Sequence, residues 1–149
     1  MSATPPPRGS GSPVLDQMVE RLSGSGDPRR RYEYVLWLGK KLQPLPDTFR
    51  QDTYKVKGCA SQVYVVGELR EGQLHWQGDS DAAITKGLLA FLIQGMEGLT
   101  PEQVVALDPA ILTATGLQAS LTPSRANGFL NIFRMMQAQA RQLQDAAAD

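Results

Sequence analysis

The stretch Lys55-Val56-Lys57-Gly58-Cys59-Ala60-Ser61-Gln62-Val63-Tyr64-Val65-Val66 decides how this chain is read. Short runs rich in Val and Tyr lie on either side of a glycine and a cysteine. That pattern predicts a strand over Tyr54–Lys57, a turn at Gly58-Cys59, and a longer strand over Val63–Leu69. Glu71-Gly72 is a hairpin signal leading into a third strand, Gln73–Gln77. Links this short favour antiparallel pairing of neighbours. The middle of the chain therefore predicts a small three-stranded antiparallel sheet with a thiol on one of its turns.

Helical patterning flanks this centre on both sides. Several helix starts carry a capping residue followed by proline: Ser12-Pro13, Asp27-Pro28, Thr100-Pro101, Asp108-Pro109 and Thr122-Pro123. The side-chain oxygen accepts an orphan N–H, and proline needs no N–H in the first turn. Thr100 and Gln103 have capping-box spacing. Apolar periodicity predicts helices over 13–22, 28–40, 102–106, 110–114 and 124–142. A further helix is expected to open at Gly78-Asp79-Ser80-Asp81 and run to Met96. Its acids would sit in the first turn, with Asp79 as the cap. Helices packed on a small antiparallel sheet make the class α+β.

Composition narrows the function. The chain has 149 residues, enough for one domain with a real core. Fifteen basic side chains balance fifteen acidic ones, which speaks against a nucleic-acid or membrane surface. Residues 1–12, rich in Pro, Ser and Gly, are expected to be a disordered tail. Residues 13–144 are expected to form the single domain, and 145–149 a frayed end. The first residues lack the apolar segment of a secretory signal, so a cytoplasmic protein is expected. One cysteine and one histidine (His75) cannot build a Cys-rich zinc site, an iron–sulfur cluster site or an intramolecular disulfide. No metal or cofactor is expected.

A lone thiol packs in a core, attacks something, or carries something. Lys55 and Lys57 share a strand face, and Cys59 joins them if the strand persists, so the lysines would favour the thiolate. Gly58 permits a tight turn at positive φ, and the N–H groups of Ala60 to Gln62 are placed to face the sulfur. An inert structural cysteine in a non-catalytic interaction module is the plain alternative. A cysteine hydrolase would need His75 as its base, yet Leu74-His75-Trp76 reads as a strand with His75 outward.

Four stretches together resemble the SufE/CsdE family of sulfur-acceptor proteins: Val56-Lys57-Gly58-Cys59-Ala60-Ser61-Gln62-Val63-Tyr64; Arg31-Tyr32-Glu33-Tyr34 with Leu38-Gly39; Gly78-Asp79-Ser80-Asp81-Ala82-Ala83-Ile84 with Lys86-Gly87-Leu88; and Leu121-Thr122-Pro123-Ser124-Arg125-Ala126-Asn127-Gly128. They occur in the family's order and cover roughly Val14 to Ala140. Ala60 stands where the family often has Gln, and Tyr64 where it often has Trp. The resemblance implies a SufE/IscU-like fold. It also implies a non-enzyme carrier that takes sulfane sulfur from a SufS-like, pyridoxal-phosphate-dependent cysteine desulfurase and stimulates that enzyme. The carrier then passes the sulfur to a SufB-like scaffold complex of iron–sulfur cluster assembly.

In that scheme Cys59 carries the persulfide. Gly58, Ala60, Ser61, Gln62, Val63 and Arg125 would form its surroundings, and Lys57, Asp79, Asp81 and Asn127 would contact a partner. Val63 and Val65 are expected to wall an apolar pocket for the loaded sulfur, with Gly58 as a hinge. Arg125 is expected to bind a partner carboxylate or to brace Asp79 or Asp81. Ser124 and Asn127 are the candidate caps of the last helix.

Overall fold

The computed structural model describes residues 9–148. In chain order the helices are α1 (Pro13–Ser23) and α2 (Pro28–Lys40), followed by strands β1 (Val63–Arg70) and β2 (Gln73–Ser80). Then come α3 (Ala83–Met96), α4 (Pro101–Val105), α5 (Ala110–Ala114) and α6 (Pro123–Ala148). Short 3-10 turns occupy Asp47–Phe49, Asp52–Tyr54 and Leu117–Ala119. Of the tail expected over 1–12, residues 1–8 lie outside the described part. Ser12 at its end is buried: its Oγ accepts from the Leu15 N–H at 3.0 Å and donates to the Gly95 carbonyl at 2.7 Å. Of the expected end segment, residues 145–148 continue α6, and Asp149 lies outside the described part.

The capping residues work as their chemistry requires. Asp27 accepts from the Arg29 N–H, Thr100 and Gln103 form a full capping box, and Thr122 accepts from the Arg125 N–H. Helix α3 is apolar nearly all round, so it is buried nearly all round. Leu88, Leu89, Phe91 and Leu92 are fully inaccessible, each worth about 1.5–3 kcal/mol of burial. Helices α1, α2 and α6 and strand β2 all pack on α3. Helices α2 and α3 cross so closely that a methyl on Gly87 would lie 2.1 Å from the Val35 carbonyl oxygen. One on Gly39 would lie 2.9 Å from the Gly87 nitrogen. Only glycine allows that contact.

The sheet has two strands among the described residues, not three. Strands β1 and β2 are antiparallel in the register Val63↔Ser80 to Arg70↔Gln73, turning at Glu71-Gly72 with both φ positive. The expected strand at Tyr54–Lys57 is a 3-10 turn followed by one isolated bridge, Lys55↔Tyr64, with the Val56 N–H bonded to the Val63 carbonyl at 2.8 Å. The physical reason is on the free edge of β1. The Gln139 amide of α6 donates to the Val65 carbonyl and accepts from the Gly67 N–H, both at 2.8 Å. A helix side chain fills the place a third strand would have taken, and the edge is covered.

The start of α3 also differs from expectation. Residues 78–80 belong to β2, the helix begins at Ala83, and its first turn holds no acid. Asp79 is therefore a strand residue, not a cap. It accepts from Arg50 at 2.7 Å and sits 3.2 Å from Lys86, tying the loop before the cysteine to the sheet and to α3.

Candidate functional site

Cys59 lies on the loop between the 3-10 turn Asp52–Tyr54 and β1, half-buried against α6 and the start of α3. Three sets of contacts hold this loop. At its base are the Val56–Val63 backbone bond and a reciprocal pair: the Gln62 N–H donates to Asp81 Oδ1 at 3.0 Å, and the Asp81 N–H donates to the Gln62 carbonyl at 3.2 Å. At its tip, Asn131 of α6 donates to the Gly58 carbonyl at 3.0 Å. Around the thiol, Cys59 Sγ sits 3.7 Å from the Gly128 carbonyl oxygen, and the Ser61 and Thr85 hydroxyls are 3.5 Å apart. Gly58 has φ 81°, and a methyl there would strike the Asn131 amide at 2.6 Å. The turn and its latch both require glycine.

A cavity of about 170 Å³ opens beside the sulfur. Ala60, Ser61, Thr85, Thr122, Ser124 and Arg125 line it, together with Cys59 and Gly128. Val63 and Val65 do not: both are wholly buried in the main core, so the expected apolar pocket is replaced by a rim of hydroxyls and one guanidinium. Such a rim can donate hydrogen bonds to an anion extended from the sulfur.

The lysines do not activate the thiol. The chain at Lys55–Lys57 is not a strand, so the shared parity is lost, and Lys57 lies exposed on the turn. Burial pushes the Cys59 thiol above its ordinary value. The sulfur is held inward, and burial favours its protonated form.

Arg125 lines the rim beside Cys59 and does not brace Asp79 or Asp81. It donates to the Tyr32 hydroxyl at 3.4 Å, while Asp79 is taken by Arg50 and Lys86, and Asp81 by the Gln62 backbone. Burial alone would raise the Asp79 carboxyl; the hydrogen bonds from Arg50, Lys86 and the Ser80 N–H outweigh it and hold the group below the usual carboxylate range. Asn127 is exposed, and Thr122, not Ser124 or Asn127, caps α6. His75 pairs with Glu97 on the outer face of β2 and lines a different cavity, so it is not a base for Cys59. Thr85, Thr122, Gly128 and Asn131 complete the site unforeseen. Asn127 and Asn131 one turn apart, with Gly128 between them, were the available signal.

The family model described as "SufE: Fe-S metabolism associated domain" matches residues 16–140. The chain belongs to the SufE family. An uncharacterized SufE-like protein of Synechocystis is 55% identical over 128 residues, covering 86% of this chain and 80% of that one. The protein named cysteine desulfuration protein SufE in Plasmodium vivax is 41% identical, over 85% of this chain and 52% of its own length. SufE-like protein 1, chloroplastic/mitochondrial, of Arabidopsis thaliana is 37% identical over 89% of this chain and 36% of its own. The chain thus spans about half or less of those two relatives. A solution structure of a hypothetical protein from Thermus thermophilus superposes with a TM-score of 0.77 at 25% identity, covering 88% of this chain and 96% of that one. Membership in the SufE family ties the chain to iron–sulfur metabolism. None of the described helices is long and apolar enough to cross a membrane.

Proposed function

We propose that this SufE-family chain is a sulfur carrier of the cytoplasm, loaded by a pyridoxal-phosphate-dependent cysteine desulfurase and unloaded by an iron–sulfur scaffold complex. The observation that carries the reading is a single thiol on a loop that turns at a positive-φ glycine, beside a small polar cavity. The Cys59 thiolate attacks the outer sulfur of the desulfurase's cysteine persulfide. A new S–S bond forms to Cys59 Sγ, and the old one breaks. The enzyme's cysteine leaves as a thiolate, and the Cys59 proton passes to it or to water. One sulfane sulfur moves with no net oxidation, so no external oxidant or reductant is required.

The same exchange runs in reverse sense at the acceptor. Between the two, the persulfide anion points into the hydroxyl and guanidinium rim formed by Ser61, Thr85, Thr122, Ser124 and Arg125. Reaching either partner requires the loop to swing outward. Its tip is held by one ordinary hydrogen bond and one weak S–H contact, on the order of 1 kcal/mol each or less. A partner therefore needs little binding energy to open it.

The reading is tested by desulfurase turnover in the presence of cysteine and a reductant. Wild-type chain should stimulate alanine release, and Cys59→Ser should not. Equal stimulation by Cys59→Ser would favour the alternative, an interaction module with an inert cysteine. Slow alkylation of the free chain does not separate the two readings, because the resting thiol is parked. Alkylation accelerated by added desulfurase does, and only the carrier predicts it.

A further inference from the structure

Most large apolar side chains of this chain are buried, but Trp37 is 46% exposed on α2. Its ring stacks on Tyr34 one turn earlier, with centroids 5.8 Å apart and planes at 24°. A cation closes each end of the stack. The Arg21 guanidinium of α1 lies 4.9 Å from the Tyr34 centroid, and Lys41 Nζ lies 3.9 Å from the Trp37 centroid. Neither cation has a carboxylate within ion-pair distance among the described residues. On the surface of α2, Glu33 pairs with Arg29 and Asp27 with Arg30, both at 3.9 Å.

Lys41, which caps the Trp37 end of the stack, also lines a cavity of about 450 Å³ together with Leu38, Leu42 and Ile93. The acids of that cavity are paired as well, Glu97 with His75 and the Trp76 N–H, and Glu68 with Arg70. What stays open is a hollow of mixed apolar and polar lining, a half-exposed tryptophan and two cations outside any ion pair among the described residues.

This surface is separate from the thiol. Tyr32, which touches Arg125 at the rim, lies roughly half a turn round α2 from Tyr34. Contact at the stack leaves the Cys59 loop free to move.

We propose that the Tyr34–Trp37 stack and the adjoining hollow form a second docking surface, and that its occupant is an acidic segment of the cysteine desulfurase bearing an apolar side chain. The proposal rests on the carrier reading above and names where the donor holds the carrier while the loop swings. Charge selects the occupant. A second copy of this chain would bring Arg21 and Lys41 against their own kind. Two unpaired cations on a chain of zero net charge are too few for nucleic acid, which takes several phosphate contacts. An acidic protein segment neutralises both cations and buries the indole, the residue type that most often anchors interfaces.

The test is binding of the Cys59→Ser chain to the desulfurase by fluorescence anisotropy, which keeps sulfur chemistry out of the measurement. Trp37→Ala and Lys41→Glu should each weaken Kd by about tenfold or more, and Lys41→Glu should flatten its salt dependence. Trp37→Phe and Lys41→Arg should keep most of the affinity. In chains with Cys59 intact, the loading rate at saturating carrier should stay within about twofold of wild type for every variant. Thermal unfolding of these exposed substitutions confirms the fold. Kd unchanged in both Trp37→Ala and Lys41→Glu overturns the proposal. So does absence of wild-type binding, or displacement of the desulfurase by a single-stranded oligonucleotide. Failure of the carrier reading shows separately, as a bound wild-type chain whose Cys59 gains no sulfur.

Discussion

At the scale of single residues, the site is a half-buried thiol held in place by neighbours on another element. Because burial pushes the Cys59 thiol up, iodoacetamide should alkylate the free chain more slowly than a free cysteine at neutral pH. The rate should rise to a midpoint above the ordinary thiol value of about 8.5. The linked stability has a definite sign. The folded state prefers the protonated thiol, so its contribution is complete below the unfolded thiol's pKa and is lost as pH rises through the folded one. Cys59→Ser should remove that alkaline slope. Asn131→Ala deletes the latch on the Gly58 carbonyl and should speed alkylation about fivefold, the equivalent of one ordinary hydrogen bond; an unchanged rate would show that the latch does not restrain the loop. Cys59, Gly58, Ser61 and Arg125 were legible because local motifs carry them. Thr85 and Asn131 were not, because they stand outside the cysteine motif and only packing brings them to it; Gly128 ends the motif that carries Arg125, but nothing in that motif says its carbonyl meets the thiol. The lysine argument failed for the same reason: parity along a strand presumes a strand, and a 3-10 turn stands there instead.

At the scale of elements, two contacts decide the architecture. Gly39 and Gly87 let α2 and α3 meet backbone to backbone, and Gly87→Ala would place a methyl 2.1 Å from the Val35 carbonyl oxygen. That substitution should destabilise the chain by about 1–3 kcal/mol or more in denaturant titration, from overpacking at a rigid crossing. Both glycines stand out in the sequence; that they touch each other does not. Gln139 pairs with the β1 edge through both ends of its amide. Gln139→Leu strands the Gly67 N–H and the Val65 carbonyl, and should lower stability by about 1–3 kcal/mol. A loss of under about 0.5 kcal/mol would mean that water replaces the amide. Helix positions and the hairpin were readable from caps, periodicity and Glu71-Gly72. The missing third strand was not, because a lone glutamine in a helix gives no sign that it will finish a sheet.

At the scale of the molecule, α3 is the shared wall of the core, and the cysteine loop is tied to the end of β2 and the β2–α3 junction through the Asp79 and Asp81 contacts. Arg50 and Lys86 hold the Asp79 carboxylate below its usual range, so its contribution is present above the unfolded carboxyl pKa and lost as pH falls through the folded one. Asp79→Asn should flatten the acid limb of the stability curve, seen as a smaller drop in Tm between neutral and acid pH; a limb unchanged from wild type would leave this ion pair without a role. The loop tip is tied to α6 by one hydrogen bond and one weak sulfur contact, which is the arrangement a locally opening segment requires. The central claim is that Cys59 is loaded with sulfur by another protein. Its most direct test is intact-mass analysis after incubation with desulfurase and cysteine, without reductant. Wild-type chain should gain one sulfur atom, mapped to the Cys59 peptide and lost on adding a thiol. A chain that keeps its original mass while the desulfurase turns over would contradict it.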